Sequence, residues 1–254
     1  MTTGRRSRVI DIVPRTKVNY TGRDLRRAAT IPCRQGPYAA QLTTELSTYL
    51  GEPHLMLTPS GRGGLYHILR AVDRPRVVVP AYTCKAVVEA VRLAGKTPIY
   101  VDAEPEGFNT DWATLEEAID AESVVVASHQ FGIPCDVDRL LTLCRARNAI
   151  VVEDVAAALG TRIDGRLAGT FGDAAFYSFD STKLLNVPIK GGAVTAKDPD
   201  FFARIVAGYR RSVQPMTRAM QAQLLLMGPP SDASGSIAAV KCSTRSAMNR
   251  EAVA

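Results

Sequence analysis

Three polar features lie where predicted strands end. The run LMLT leads into a turn of serine and glycines, Ser60 to Gly64, that opens a helix. The run AIVV is followed by Glu153 and Asp154, and AAFYSF leads into a loop that carries Lys183. A glycine-rich turn at a helix N-terminus offers N–H groups and the positive end of the helix dipole to an anion. An anion site, a carboxylate and a primary amine would therefore meet at one edge of a parallel sheet.

These three parts are the ones that pyridoxal phosphate requires of a protein. A lysine forms a Schiff base with the cofactor, an acid keeps its ring nitrogen protonated, and hydroxyl and backbone N–H groups hold its phosphate. Each part also has an ordinary structural interpretation. An aspartate after a strand often caps a helix, and a lysine in a loop is usually solvated. The residue types alone leave both interpretations open.

The elements that would position these residues alternate between about residues 55 and 196. Runs rich in β-branched residues predict seven strands, at 55–58, 77–81, 98–102, 123–128, 149–153, 174–179 and 192–196. The segments between them place apolar residues at helical spacing, with Gly95 and Asn148 as C-terminal stops. We therefore predict an α/β protein, a three-layer α/β/α fold around a mainly parallel sheet of about seven strands.

The charge of the chain is unevenly distributed. The net charge of +6 over 254 residues divides into +7 for residues 1–36, −5 for 37–204 and +4 for 205–254. A nucleic-acid-binding domain usually carries its positive charge on the folded body, so we predict no nucleic-acid partner. No apolar run approaches the ~18–20 residues of a membrane span, and we predict no membrane partner.

The cysteines and the N-terminus predict the compartment. The five cysteines are odd in number and form no CxxC pair, which suits a reducing compartment better than a disulfide framework or a zinc site. The apolar stretch near the N-terminus is broken at Asp11 and Pro14, so it does not resemble a secretory signal. We predict a cytoplasmic protein without a bound metal.

Composition also predicts the domain organisation. We predict a basic N-terminal arm over 1–36, a cofactor-binding large domain over 37–200, a helical segment over 201–227 and an irregular tail over 228–254. The tail is small and polar with no clear period.

Four segments between about residues 37 and 197 resemble a known family. They are TPSGRGGLYHIL (58–69), VVVPAYTCKAVVEAVRLAGKTPIYVDAEPEGFNTD (77–111), VVEDVAAALGTRIDGRLAGTFGDAAFYSFDSTKLLN (151–186) and KGGAVTAKD (190–198). They follow the patterns AGxxPxxVDxxxxxFNxD and GTFGDxxxxSFxxTK in order. The sequence resembles the DegT/StrS-like family of pyridoxal-phosphate sugar aminotransferases, within the fold-type-I aminotransferase superfamily.

The resemblance implies a role for each site residue. Lys183 would form the Schiff base and shuttle a proton during the reaction, and Asp154 would pair with the pyridinium nitrogen. Ser178 would donate to the phosphate, and Tyr82 would lie against the cofactor ring, although Tyr82 by itself reads as a core aromatic. The phosphate would also be held by the backbone of Gly61, Arg62 and Gly63. His129 receives no catalytic role, because a hydrogen-bonded structural histidine fits it equally well.

The resemblance also implies an activity. An amino donor, glutamate, would supply the amino group, and a keto sugar nucleotide would accept it, in surface polysaccharide or antibiotic sugar biosynthesis. Some relatives carry histidine at the lysine position and perform dehydration, so Lys183 favours transamination. The family forms homodimers with the active site at the interface, which predicts a homodimer here.

Two departures from the family pattern keep other functions open. The glutamine that contacts the phenolic oxygen of the cofactor is replaced by Ala157, and a frequent histidine is replaced by Leu159. A second interpretation is a truncated and inactive form, because the C-terminal small domain of the family is expected to be missing. The alternatives are a non-catalytic remnant that binds the cofactor or a sugar nucleotide, and another fold-type-I enzyme that acts on amino acids.

Overall fold

The structure is a computed structural model that describes residues 21–24, 26, 37–187, 190–214, 217 and 219. The predicted tail over 228–254 lies outside the described residues. So does the predicted arm over 1–36, apart from 21–24 and 26. The predicted helical segment over 201–227 is described only at 201–214, 217 and 219.

A seven-stranded sheet forms the centre of the described part of the chain. Its strands are β1 (Leu55–Thr58), β2 (Arg76–Pro80), β3 (Thr97–Val101), β4 (Ser123–Ser128), β5 (Ile150–Asp154), β8 (Ala174–Ser178) and β9 (Gly192–Ala196). Their order is β1-β9-β8-β5-β4-β2-β3. Within this sheet, β9 alone runs antiparallel to the other six strands. The predicted fold class, with a mainly parallel sheet of about seven strands, is confirmed.

Helices cover both faces of this sheet. They are α1 (Tyr38–Leu50), α2 (Gly61–Arg70), α3 (Lys85–Leu93), α4 (Trp112–Ala118), α5 (Val137–Ala146) and α6 (Pro199–Ser212), with a short 3₁₀ turn at Gln130–Gly132. Helices α2, α3 and α6 share one hydrophobic cluster with the sheet. Helices α1, α4 and α5 contribute to the two clusters on the opposite face. Within the described ranges, no helix is both long enough and apolar enough to cross a bilayer.

Strand β4 shows why the sheet needs both layers. All six of its residues are buried, and successive side chains alternate between faces. Val124 and Val126 pack with α2 and α3, whereas Val125 and Ala127 pack with α4 and α5. The continuous apolar run VVVA is therefore a strand covered on both faces, as the sequence predicts.

Two predicted helix stops are confirmed in the backbone. Gly95 and Asn148 have φ angles of 75° and 54°, in the left-handed region that glycine and asparagine tolerate best after a helix. Each lies just after the end of a helix, α3 and α5 respectively. These stops return the chain to the start of the next parallel strand.

A small hairpin was not predicted from the sequence. Strands β6 (Arg162–Ile163) and β7 (Arg166–Leu167) pair antiparallel across Asp164 and Gly165. Both turn residues have positive φ, 48° and 82°, as a type I′ turn requires. The Asp-Gly pair is a recognised hairpin signal, but the flanking strands of two residues are too short to show alternation.

Candidate active site

The polar residues predicted for the site lie at one edge of the sheet. Six strands run in the same direction, so their carboxyl ends meet there. Ser128 and Asp154 end the adjacent strands β4 and β5 and are register partners. Asp154 is in register with Phe176 of β8, and Ser178 lies two residues further along that strand. Because register partners share a face and side chains alternate, Ser128, Asp154 and Ser178 project from the same face.

Asp154 is buried at this edge, with only 9% of its surface exposed. Its Oδ1 accepts a hydrogen bond of 2.9 Å from the backbone N–H of Ala156. Burial raises the pKa of Asp154, while the Ala156 hydrogen bond and the charge of Lys183 act in the opposite direction. A buried carboxylate with so few donors is suited to receive a cationic group.

Lys183 lies in the loop between β8 and β9, which is held by backbone hydrogen bonds and an ion pair. Its backbone N–H donates to the carbonyl of Asp180 over 2.9 Å, and the N–H of Phe179 donates to the carbonyl of Gly191 over 2.8 Å. Lys190 closes the same loop through an ion pair of 3.2 Å with Asp180. These contacts fix where the Lys183 backbone lies.

The two lysines of this loop differ in their partners. The ammonium of Lys190 is paired, and its hydrogen bond with Asp180 lowers the pKa of that carboxyl against the effect of burial. The half-buried Lys183 side chain makes no hydrogen bond or ion pair with any residue that the structure describes. Lys183 is therefore the amine of this loop that is available for chemistry.

The N-terminus of α2 packs directly against β8 and β9. A Cβ added at Gly61 would lie 3.0 Å from the Cβ of Ser178 and 3.2 Å from the carbonyl oxygen of Tyr177. A Cβ added at Gly192 would lie 2.6 Å from that same oxygen and 2.7 Å from the Gly61 nitrogen. Glycine at both positions allows the helix to start beside Ser178, so the helix dipole and the Ser178 hydroxyl lie side by side.

The first turn of α2 uses one of its free N–H groups internally. Ser60 caps the helix, and its Oγ accepts a hydrogen bond of 3.1 Å from the Gly63 N–H. The N–H groups of Gly61 and Arg62 precede this capped position and have no partner within the helix. The side chain of Arg62 forms an ion pair of 2.7 Å with Glu89, so what Arg62 offers at the helix N-terminus is its backbone N–H.

Tyr82 belongs to an exposed aromatic cluster rather than to the core. It follows β2, and 49% of its surface is exposed. Its ring centroid lies 5.8 Å from that of Phe108 and 6.2 Å from that of Phe131, and these two rings are 5.2 Å apart. Gln130 donates a hydrogen bond of 2.9 Å to the Tyr82 carbonyl. The interpretation of Tyr82 as a core aromatic is therefore wrong.

His129 is a buried structural residue on the opposite face from Asp154. Its Nε2 lies 3.1 Å from Oε2 of Glu153, and both side chains are fully buried. The N–H of Cys135 donates to Nδ1 over 3.3 Å, so Nε2 carries the proton that is donated to Glu153. These contacts are those of a hydrogen-bonded structural histidine.

Glu153 anchors the loop before β8, a role that the sequence analysis missed. Its carboxylate accepts hydrogen bonds of 2.6–2.7 Å from three backbone N–H groups, those of Gly169, Phe171 and Gly172. Burial raises the pKa of Glu153, but the hydrogen bonds from His129, Gly172 and Gly169 outweigh it and lower the pKa. The alternation of side chains along a strand could have predicted this role, because it places Glu153 on the opposite face of the sheet from Asp154.

Comparison with known proteins identifies the family. The sequence profile of the DegT/DnrJ/EryC1/StrS aminotransferase family matches residues 26–228. The chain belongs to this family. Members of the DegT/DnrJ/EryC1/StrS family depend on pyridoxal phosphate, and the homologues of this chain are sugar transaminases.

Individual relatives cover the same region. A GDP-perosamine synthase from Caulobacter vibrioides is 32% identical over 174 residues, which are 67% of this chain and 47% of the relative. A UDP-N-acetyl-3-dehydro-alpha-D-glucosamine 3-aminotransferase from Acidithiobacillus ferrooxidans is 32% identical over 169 residues, 65% of this chain and 46% of the relative. The chain thus spans about half the length of the curated relatives that it matches.

A solved relative confirms the architecture. The sugar aminotransferase CalS13 from Micromonospora echinospora superimposes with a TM-score of 0.69 at 27% identity. The superposition covers 79% of this chain and 57% of that protein. The sheet and helices described above are therefore those of a sugar aminotransferase fold.

Proposed function

We propose that this chain transfers an amino group from glutamate to a keto sugar nucleotide with pyridoxal phosphate as cofactor. The observation that carries the proposal is the meeting of Asp154, Ser178 and the unpaired Lys183 at one sheet edge, beside the N-terminus of α2. Carboxylate, hydroxyl, amine and helix N-terminus are the donor set that the cofactor's ring nitrogen, phosphate and aldehyde require.

The chain's residues fit the two ends of the cofactor. The Gly61 and Arg62 N–H groups and the Ser178 hydroxyl would hold the phosphate. Gly61 approaches Ser178 so closely that an added Cβ would lie 3.0 Å from the Ser178 Cβ. Asp154 would hold a proton on the ring nitrogen, because a buried carboxylate is stabilised by a cation placed against it. When bound, the cofactor supplies a ring that withdraws electrons from the substrate carbon.

Lys183 would supply the reactive amine. Its loop is fixed at Asp180, yet its ammonium has no competing partner among the described residues. It would hold the cofactor through its aldehyde group, and once freed by the amino donor it would act as base and then as acid, moving a proton between the substrate carbon and the aldehyde-derived carbon of the cofactor. Tyr82 would flank the ring from the exposed aromatic cluster.

The substrate class rests on the relatives. Two of them are named for a GDP sugar and a UDP sugar, which supports a nucleotide-linked sugar as acceptor but leaves the nucleotide open. A homodimer is part of the proposal, because members of this family complete the site from a second subunit.

Spectroscopy of the amino transfer tests this proposal. The purified full chain is loaded with pyridoxal phosphate, and glutamate is added. We expect conversion of the cofactor to its amine form with release of 2-oxoglutarate, and reversal by a keto sugar nucleotide. Reversal by simple keto acids alone would favour an enzyme that acts on amino acids. Binding of the cofactor without its conversion would favour the non-catalytic alternative. Either result would contradict the proposal.

A further inference from the structure

Ser128 carries a buried hydroxyl without a partner. Only 6% of its surface is exposed, and its Oγ makes no hydrogen bond with any residue that the structure describes. Buried hydroxyls are rarely left in this state, because the lost hydration is not replaced. An unsatisfied hydroxyl at a candidate site therefore points to a ligand.

The other serine of the same strand shows the contrast. Ser123 begins β4 and is also fully buried. Its Oγ donates to the Asp120 carboxylate over 2.6 Å and accepts from the Asp120 N–H over 3.2 Å. Ser123 at the far edge of the sheet is satisfied by the protein, whereas Ser128 at the site edge is not.

Ser128 and Asp154 lie side by side at the same edge of the sheet. The two residues are register partners on neighbouring strands, which lie about 4.8 Å apart, and they share a face. Ser178 and the α2 N-terminus lie on the other side of Asp154, towards β8 and β9. Asp154, on β5, therefore lies between the proposed phosphate site at β8 and α2 on one side and Ser128 of β4 on the other.

The covalent structure of pyridoxal phosphate matches this order. Its phosphate arm and its phenolic oxygen lie on opposite sides of the line through the ring nitrogen. With the nitrogen at Asp154 and the phosphate at Ser178, the phenolic side of the ring faces β4 and Ser128. At position 157, where the family pattern has a glutamine for this oxygen, the chain has an alanine that can donate nothing.

We propose that the Ser128 hydroxyl binds the phenolic edge of the cofactor and replaces the hydrogen bond that Ala157 cannot make. The inference rests on the proposed function, since it requires the cofactor at this edge. Ser128 is a cofactor-positioning residue here. It sets the affinity for the cofactor and the charge on the phenolic oxygen, while Lys183 performs the proton transfers.

Variants at 128 and 157 test the proposal through cofactor binding. Ser128→Ala should raise the dissociation constant for pyridoxal phosphate about tenfold, the size expected for one hydrogen bond to a charged oxygen. The pH midpoint of the visible absorption of the bound cofactor should rise, because an uncompensated phenolate holds a neighbouring proton more tightly. Adding Ala157→Gln to Ser128→Ala should recover most of the affinity.

Stability of the cofactor-free protein separates this role from a structural one. Ser128→Ala removes an unsatisfied hydroxyl, so the melting temperature of the apoprotein should stay the same or rise. Ser123→Ala is the matched control, and it should lower that temperature and leave cofactor affinity unchanged.

The outcomes distinguish the inference from the function on which it rests. Unchanged affinity and an unchanged pH midpoint in Ser128→Ala, with a wild-type chain that binds the cofactor, would overturn the inference alone. A wild-type chain that binds no pyridoxal phosphate would overturn both.

Discussion

Glu153 and Asp154 are consecutive residues whose carboxylates lie on opposite faces of the sheet. Glu153 accepts three backbone N–H groups and pairs with His129. Among the residues that the structure describes, the Asp154 carboxylate accepts from one backbone N–H, that of Ala156. One carboxylate of the pair therefore serves the fold, and the proposed function assigns the other to the cofactor. This division of roles gives two opposite predictions for neutralising substitutions.

Glu153→Gln should strongly destabilise the protein. The amide would place a donor against backbone N–H donors in a fully buried site, which costs on the order of 3–5 kcal/mol when a buried charged pair is broken. Urea unfolding of the apoprotein measures this change. Glu117→Gln, at an exposed carboxylate of α4, should change the free energy of unfolding by no more than about 0.5 kcal/mol. Equal effects of the two substitutions would contradict the assigned role.

The same carboxylate should govern stability in acid. The pKa of Glu153 is lowered in the folded state, whereas the unfolded value is about 4.3. Its stabilising contribution is therefore fully present above the unfolded pKa and is lost as the pH falls through the lower folded pKa. The free energy of unfolding, followed from pH 6 downward in about half-unit steps, should fall less steeply in Glu153→Gln than in the wild type. If the free energies of unfolding of the two proteins fell in parallel with pH, titration of Glu153 would not be the cause of the acid sensitivity.

Asp154→Asn should stabilise the apoprotein while weakening cofactor function. Burial raises the pKa of Asp154, so the folded state retains a proton that the unfolded state loses above about pH 3.9. The stability that this proton supplies is lost as the pH rises through the folded pKa. Asparagine keeps the Oδ1 acceptor for the Ala156 N–H. Because its amide does not titrate, the variant avoids the loss of stability that Asp154 causes as the pH rises.

The direction of this stability change is checked by comparing the melting temperatures of the wild-type and Asp154→Asn apoproteins. Asp154→Asn should melt higher than the wild type near pH 7, and the difference should shrink towards pH 3–4, a window set by the unfolded aspartate pKa of about 3.9. With pyridoxal phosphate bound, Asp154→Asn should lose most of the amino-transfer rate of the wild type. A variant that melts lower at pH 7 would show that the carboxylate is stabilised by the fold itself.

Gly192→Ala should disturb the junction between β9 and α2. The new Cβ would lie 2.6 Å from the Tyr177 carbonyl oxygen and 2.7 Å from the Gly61 nitrogen, both backbone atoms. Forcing these atoms apart should cost about 1–3 kcal/mol and weaken phosphate binding at the α2 N-terminus. Inorganic phosphate competition and urea unfolding measure the two effects.

Gly208→Ala is the matched control for that substitution. Gly208 lies inside α6, and nothing lies within 4 Å of a Cβ added there. Alanine should therefore stabilise the helix by about 0.5–1 kcal/mol. Destabilisation at both glycines would show that the close contact at Gly192 is not the cause.

The sheet could be predicted from the sequence because its strands are short apolar runs separated by clear helix stops. The run VVVA of β4 and the stops at Gly95 and Asn148 carry that information locally. The antiparallel direction of β9 could not be predicted, since its composition matches that of its parallel neighbours and direction is decided by tertiary packing. The hairpin around Asp164 and Gly165 was missed because its strands are too short to show a period.

The candidate site was predicted less completely. Family motifs pointed to Asp154, Ser178 and Lys183, and the structure brings their strand ends and loop to one sheet edge. The exposed aromatic cluster of Tyr82 could not be predicted, because it depends on contacts with Phe108 and Phe131, which are distant along the chain. The unsatisfied hydroxyl of Ser128 is visible only once every neighbour of the side chain is known.

Borohydride reduction of the protein loaded with pyridoxal phosphate tests whether Lys183 carries the cofactor. The full chain is incubated with pyridoxal phosphate, reduced and digested, and its peptides are analysed by mass spectrometry. We predict a cofactor adduct on Lys183, none on Lys190 of the same loop, and loss of the adduct in Lys183→Arg. An adduct spread over surface lysines, or none on Lys183, would contradict it.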